Sequence, residues 1–273
     1  MNAKPDGLMM LSKELVAWID AQKQADATLI IGISGAQGTG KSTLARQLKV
    51  LLRNRYSVAL LSLDDLYLNQ NKRKTLAASI HPLFAARGVP TTHNVNLGIQ
   101  ILKQLKGGQG ELLLPRFDKQ TDNPKPQHDW ERCKTPVDIV LFEGWCLSLT
   151  PQSDDALLKP INKLEAEEDK QGIWRKQVND ALTADYQQLF QMIDKTIYLK
   201  APSFESVFAW RKQQEVETFA QKTSLGMNDK ALRRFMAHYE RLTRHGFATM
   251  PQAADVLLIL GEQHQCLKVY YKN

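Results

Sequence analysis

Cysteine is scarce and odd in number: Cys133, Cys146 and Cys266 stand alone in 273 residues, with no CxxC or CxxH spacing. That argues against a disulfide framework or a structural zinc site and leaves ordinary reduced thiols. Long apolar runs are missing as well. VLLIL near 256–260 and IVLF at 139–142 fall far short of the roughly 20 residues a bilayer needs. Asp6, Glu14 and Asp20 punctuate the first helical stretch, so no secretory pattern is expected there and the protein is expected to be soluble and cytoplasmic. There is no internal repeat, and no linker that would divide the chain. The excess of 36 Lys and Arg over 29 Asp and Glu, a net charge of +7, comes without a basic block interleaved with aromatics. It suits phosphates and small acids better than nucleic acid, and neither nucleic acid nor membrane is an expected partner.

What is present is alternation. Leu8, Leu11, Leu15, Trp18 and Ile19 predict an amphipathic helix over about 8–24. Short apolar runs follow at Leu29–Ile33, Val58–Leu63, Leu112–Leu114, Ile139–Phe142, Thr196–Leu199 and Val256–Leu260. Several are continuous, as in strands covered on both faces of a parallel sheet. Helical spacing fills the intervals, including Leu97, Ile101, Leu102 and Leu105, and one long stretch from Trp174 through Val178, Leu182 and Leu189 to Ile193. Strand and helix in turn predict a doubly wound α/β fold in a single domain spanning 1–273. Two stretches read as irregular: 115–136, rich in Pro, is expected as an acceptor-side loop, and 148–171 as a helical excursion.

The strongest local signal is GAQGTGKS, residues 35–42, which fits G-x-x-x-x-G-K-[ST], the Walker A phosphate loop. At average composition such a string turns up by chance in roughly one chain in a hundred of this length. Here a buried strand runs into it and an amphipathic helix leaves it. Glycine lets the backbone curl with its N–H groups inward, and the helix N-terminus adds dipole and donors. Lys41 is placed to reach the β- and γ-phosphates and Ser42 to bind Mg²⁺.

A phosphate loop says that a nucleoside triphosphate binds, not where its terminal phosphoryl goes. Val58–Leu63 ends in Asp64-Asp65, and Ile139–Phe142 ends in Glu143-Gly144. The carboxyl ends of parallel strands share one edge, where ligands bind, so these acids should converge on the loop. Acids at strand ends are often helix caps. Beside triphosphate, however, Glu143 suits the metal side, and Asp64 suits a base or orienter for an attacking hydroxyl. A guanine-reading Asn-Lys-x-Asp element is absent; the nearest string, NKLE at 162–165, ends in Glu and follows Pro160 rather than a strand. His238 and His245 lie seven apart on a helix and have no third metal partner, so packing or surface roles are expected for them.

Assembled, GISGAQGTGKST, SLDDLYL and VLFEGW resemble the P-loop small-molecule kinases that include uridine kinase, phosphoribulokinase and pantothenate kinase. RGVPTTHN (87–94), LPRFDK (114–119), FEGWCL (142–147), AWRKQQE (209–215) and FMAHYERLTR (235–244) resemble the D-glycerate 3-kinase-like branch. The resemblance covers roughly 29–260. It implies a three-layer α/β/α P-loop NTPase fold with a mostly parallel central sheet, with ATP and Mg²⁺ as cofactors and a small, anionic hydroxyl acceptor. It implies helical lid regions at about 148–190 and 203–246. Gly35, Ala36, Gln37, Gly38, Thr39, Gly40, Lys41, Ser42 and Thr43 would hold the nucleotide, and Ser42 with Glu143 the metal. Asp64 falls on the base of the D-x-[FL]-Y element that Tyr67 completes, and Arg211 on a lid arginine; Lys41, Asp64 and Arg211 would be catalytic.

The acceptor side would be lined by Asp64, Tyr67, His93, Asn94, Arg116, Asp118 and Lys119. Arg87, Arg116, Lys119 and His93 are its cationic groups, and Arg116 and Lys119, flanking Phe117-Asp118, are the first choice for gripping an anionic acceptor. Two departures matter. The family segment G-x-P-G-T-H-D reads here with Thr91 and Asn94 in place of Gly and Asp, which leaves the acceptor open. D-glycerate or a similar hydroxy acid leads; a nucleoside-like or other small alcohol, and a non-catalytic ATP-binding regulatory role, remain alternatives. Oligomeric state is not readable.

Overall fold

Leu29–Gly35 is buried along its whole length, and the reason is visible in its neighbours. In a computed structural model, which describes residues 5–220 and 227–272, the chain runs α1 (Pro5–Gln22), β1 (Leu29–Gly35), α2 (Lys41–Leu52), β2 (Val58–Ser62), α3 (Gln70–Ser79) and α4 (Val95–Gly107). Then come β3 (Gly110–Leu114), β4 (Phe117–Asp118), β5 (Asn123–Pro124), β6 (Glu131–Thr135) and β7 (Ile139–Gly144). Four helices follow: α5 (Asp154–Leu157), α6 (Lys163–Glu168), α7 (Ile173–Thr183) and α8 (Asp185–Phe190). The chain closes with β8 (Lys195–Lys200), α9 (Phe204–Ala220), α10 (Asp229–Ala253), β9 (Val256–Leu260) and β10 (Cys266–Tyr271). Residues 221–226, inside the expected lid region, lie outside the described residues.

The six-stranded sheet has the order β10-β9-β8-β1-β7-β2, parallel except for β10 at one edge. Side chains alternate across it. Ile30, Val140 and Phe142 enter one core with α4, α7 and α8, while Ile31, Ile33, Ile139 and Leu141 enter the other with α1 and α2. Both faces are dry, which is why these strands read as unbroken apolar runs. The result is the three-layer α/β/α P-loop fold. Leu15 and Ile19 of α1 and Leu44 and Leu48 of α2 are almost wholly buried; each such side chain contributes about 2 kcal/mol of burial. No helix among the described residues is long and apolar enough to cross a membrane.

Several expectations need correction. Leu112–Leu114 is not a strand of the main sheet: β3 pairs antiparallel with β6 in a separate ribbon, and β4 pairs with β5. The 115–136 stretch is therefore two small hairpin arms rather than an open loop. The long helix expected from Trp174 to Ile193 is broken at Ala184, whose backbone (φ −98°, ψ −104°) separates α7 from α8. The 148–171 excursion is tied down. Glu165, fully buried, takes Nε and Nη2 of Arg241 on α10 at 2.7 and 2.6 Å, and Asp169 takes Arg175. The first pair braces α10, which carries a side chain to the site described next.

Candidate active site

The phosphate loop joins β1 to α2. Gly38 (φ +79°) and Gly40 (φ +87°) adopt the left-handed backbone that glycine alone takes without strain. A Cβ on Gly38 would also lie 2.8 Å from Cβ of Trp210 on α9. The first intrahelical bond of α2 runs from Leu44 N to Gly40 O at 2.9 Å, so helix geometry leaves the N–H groups of Lys41, Ser42 and Thr43 for an anion. Lys41 Nζ rests 3.4 Å from Ala36 O, and Thr39 Oγ1 donates to the same carbonyl at 2.8 Å, which holds the loop closed on itself. Ala36 is buried, and Gln37 turns its Oε1 into a buried position without a partner among the described residues. Thr43 is exposed and accepts from Arg46.

Sheet register brings the acids to the loop. Ile33 and Ser62 both lie opposite Glu143, one on each flanking strand. Glu143, mostly buried, accepts at Oε1 from Ser42 Oγ (2.9 Å) and from Ser62 Oγ (2.8 Å). Among the described residues no three His, Cys, Asp or Glu side chains form a metal-ligating group. Ser42 and Glu143 offer one or two hard oxygens, the share that Mg²⁺ takes from protein when phosphates and water complete its shell. The donor set fits that ion.

Asp64 sits on the turn after β2. Its Oδ1 accepts from Tyr67 Oη at 2.9 Å and its Oδ2 from Lys119 Nζ at 2.5 Å. Burial opposes its charge, but Lys119, Lys41 and the Tyr67 hydroxyl outweigh it and hold its pKa at about 2. The Asp64 N–H donates to Ser62 Oγ at 3.3 Å, and Ser62 and Ser42 share Glu143, which ties this turn to the phosphate loop. Asp65, the next residue, faces the other way: it accepts from Phe117 N at 2.9 Å and Arg116 Nη1 at 3.3 Å, and burial raises its pKa. One acid serves the rim and the other fastens the hairpin arm.

Tyr67 stacks on His93, ring centroids 4.4 Å apart. His93 Nδ1 lies 2.6 Å from Tyr186 Oη, while its Nε2 is buried without a partner among the described residues. Burial, against a small opposing pull from Asp64, lowers the His93 pKa to about 3, so the ring is neutral. Tyr67, His93 and Lys119 thus gather at Asp64 as expected. Three other expected acceptor residues are engaged in local contacts. Arg116 is held by Asp65, Pro115 O and Glu131. Asp118 closes the β4–β5 turn, accepting from Gln120 N and Thr121 Oγ1. Asn94 caps α4 by accepting from Leu97 N at 3.2 Å. Local roles absorb all three side chains. Thr91 takes φ +86°, a conformation that glycine adopts freely and a β-branched residue only under strain.

Arg211 follows Trp210 on the helix packed against the phosphate loop; its guanidinium pairs with Glu215 and lies 5.8 Å from the Phe235 ring centre. Two site residues escaped sequence reasoning. Ser62 has no motif of its own, and only its register with Glu143 gives it away. Tyr239, on α10, donates to Arg87 O at 3.1 Å and packs on Trp145. A Cβ on Gly88 would lie 2.1 Å from its hydroxyl, so that approach requires glycine.

Comparison with known proteins agrees with this geometry. No family model matches the chain. It is 32% identical over 244 residues to the uncharacterized kinase mug58 of Schizosaccharomyces pombe, covering 85% of this chain and 86% of that one. It is 28% identical over 221 residues to the chloroplastic D-glycerate 3-kinase of Arabidopsis thaliana, covering 77% of this chain; the match spans about half (46%) of that relative's length. The solved D-glycerate 3-kinase of Cryptococcus neoformans superposes with a TM-score of 0.77 at 23% identity and full coverage of both chains, which shows a shared fold. A Walker A loop with its Ser–Glu pair, a rim aspartate, this fold and these relatives place the chain in the P-loop kinase family, in the D-glycerate 3-kinase branch.

Proposed function

We propose that this chain transfers the γ-phosphoryl group of ATP to a hydroxyl of D-glycerate or a closely similar small hydroxy acid. The observation that carries it is the convergence of three strand ends: Ser42 of the phosphate loop and Ser62 both donate to Glu143, and Asp64, whose N–H donates to Ser62 Oγ, accepts from Tyr67 Oη and Lys119 Nζ.

The phosphates of ATP lie along residues 35–43, with Lys41 against the terminal pair. Ser42 and Glu143 would hold Mg²⁺, which supplies charge neutralisation between the phosphates. Asp64, with a pKa of about 2, is too weak a base to strip an alcohol before attack. In a loose transition state it need not, because the proton leaves late. Its work is to receive the acceptor O–H and aim the oxygen at phosphorus. Tyr67 and Lys119 fix the Asp64 oxygens, and His93 supports the Tyr67 ring. Arg211, released from Glu215, neutralises charge on the transferring group.

The test is ATP consumption with a panel of hydroxy acids, sugars and nucleosides. Stimulation by D-glycerate above the others is expected. Tight ATP binding with no stimulation by any acceptor supports the regulatory alternative instead.

A further inference from the structure

Among the described residues, five basic side chains border the site: Lys41, Arg87, Arg116, Lys119 and Arg211. Four are accounted for. Lys41 belongs to the phosphates, Lys119 to Asp64, Arg116 to Asp65 and Glu131, and Arg211 to Glu215.

Arg87 is different. Its Nη1 meets Asp122 Oδ1, but Asp122 is shared. Arg73, only 1% exposed, binds Asp122 Oδ2 through Nη2. Its remaining donors go to main-chain oxygens: Nε to Leu68 at 3.1 Å, Nη1 to Ala85 at 2.9 Å and Nη2 to Asp122 at 3.2 Å. A buried guanidinium demands its counter-charge, so the one negative charge of Asp122 is committed to Arg73. Two arginines and one aspartate leave one positive charge, and Arg87 carries it. Its side chain is 24% exposed. Among the described residues its Nε and Nη2 meet no acceptor.

The position suits a ligand. The Arg87 guanidinium lies 5.6 Å from the Phe117 ring centre, and that ring meets Tyr67 edge-on with centroids 5.3 Å apart. Tyr67 in turn donates to Asp64. Arg87, whose single counter-charge is shared with Arg73, is thus linked through Phe117 and Tyr67 to the carboxylate that aims the acceptor hydroxyl.

We infer that Arg87 is the carboxylate receptor of the acceptor, whose hydroxyl lies at Asp64 and whose carboxylate lies on Arg87. This rests on the kinase reading above. Arg73 and Asp122 act as its fixed support. A neutral alcohol or a nucleoside leaves the excess positive charge unmet, so discrimination comes from a cation that shares its counter-charge rather than from shape.

The test compares D-glycerate with D-glyceramide, its uncharged isostere, in the wild type, Arg87→Gln and Arg87→Lys, with unfolding midpoints taken alongside. Arg87→Gln leaves the Arg73–Asp122 pair intact, so the fold is expected to survive. The wild type is expected to favour the acid by roughly 30-fold in kcat/KM, the scale of a charge-assisted pair. Arg87→Gln brings the ratio to within about threefold through the acceptor KM, with the ATP KM unchanged, and Arg87→Lys restores part of it.

A ratio that persists in Arg87→Gln, or no discrimination by the wild type, overturns the assignment while the kinase reading stands. If neither compound is turned over, calorimetric titration of D-glycerate into the ADP-loaded protein decides. Binding lost in Arg87→Gln upholds Arg87 and fails the kinase reading; binding absent, or indifferent to the substitution, overturns Arg87 too.

Discussion

The Ser42 hydroxyl donates to Oε1 of Glu143 across 2.9 Å, although 101 positions separate the two residues. Ser62 donates to the same oxygen, so a single buried carboxylate atom is the meeting point of the phosphate loop and two strand ends. Removing its charge while keeping its shape isolates what that atom does.

Glu143→Gln can still accept from both hydroxyls, so the thermal midpoint should change little. Turnover at limiting Mg²⁺ is expected to fall by about 10–100-fold, the usual scale for weakening a metal's surroundings, with partial recovery as Mg²⁺ is raised. Titration of activity against Mg²⁺ reads this. Equal loss at every Mg²⁺ concentration would deny Glu143 its metal-side role.

Gly38→Ala puts a Cβ 2.8 Å from Trp210 and forces a side chain onto φ +79°. A cost of about 1–3 kcal/mol is expected from that backbone alone. Because Trp210 precedes Arg211, the strain should also loosen the loop from α9, weakening ATP binding more than acceptor binding. Denaturant unfolding and nucleotide titration together check this.

His93 sets a pH dependence with a definite sign. Its native pKa is pulled down to about 3 by burial, whereas the unfolded ring titrates near 6.5. Below pH 6.5 the unfolded chain binds a proton that the native ring refuses. Stability from this group is thus complete above 6.5 and falls as pH drops towards 3, by about 1.4 kcal/mol per pH unit. His238 and His245 are shifted the same way and contribute in the wild type and a variant alike. Denaturant midpoints at pH 7.5, 6 and 5 should therefore fall less steeply in His93→Gln. Parallel slopes would mean that His93 protonates freely in the native state.

Sequence carried the site as far as local chemistry reaches. The phosphate loop is legible because its glycines, lysine and serine act through their own backbone. Asp64 and Glu143 are legible because both-faces-buried strands announce their ends. Sequence put Arg116 ahead of Arg87, although both are loop arginines; only the fold shows that Glu131 and Asp65 pair with the one while Arg73 shares the counter-charge of the other. β3 misled because its apolar run matches a sheet strand, yet its hydrogen-bonding partner is β6. The break at Ala184 carries no Gly or Pro to mark it. β10 was missed because a mostly exposed edge strand shows no apolar run.

The most direct measurement pairs ATP affinity with phosphoryl transfer in Lys41→Ala and Asp64→Asn. Both substitutions should abolish transfer to the acceptor. Only Lys41→Ala should greatly weaken ATP binding, because the proposed role of Lys41 is at the phosphates and that of Asp64 at the incoming hydroxyl. An equal loss of ATP affinity in the two variants, or transfer that survives in Asp64→Asn, would contradict an acceptor aimed by Asp64 at ATP on the phosphate loop.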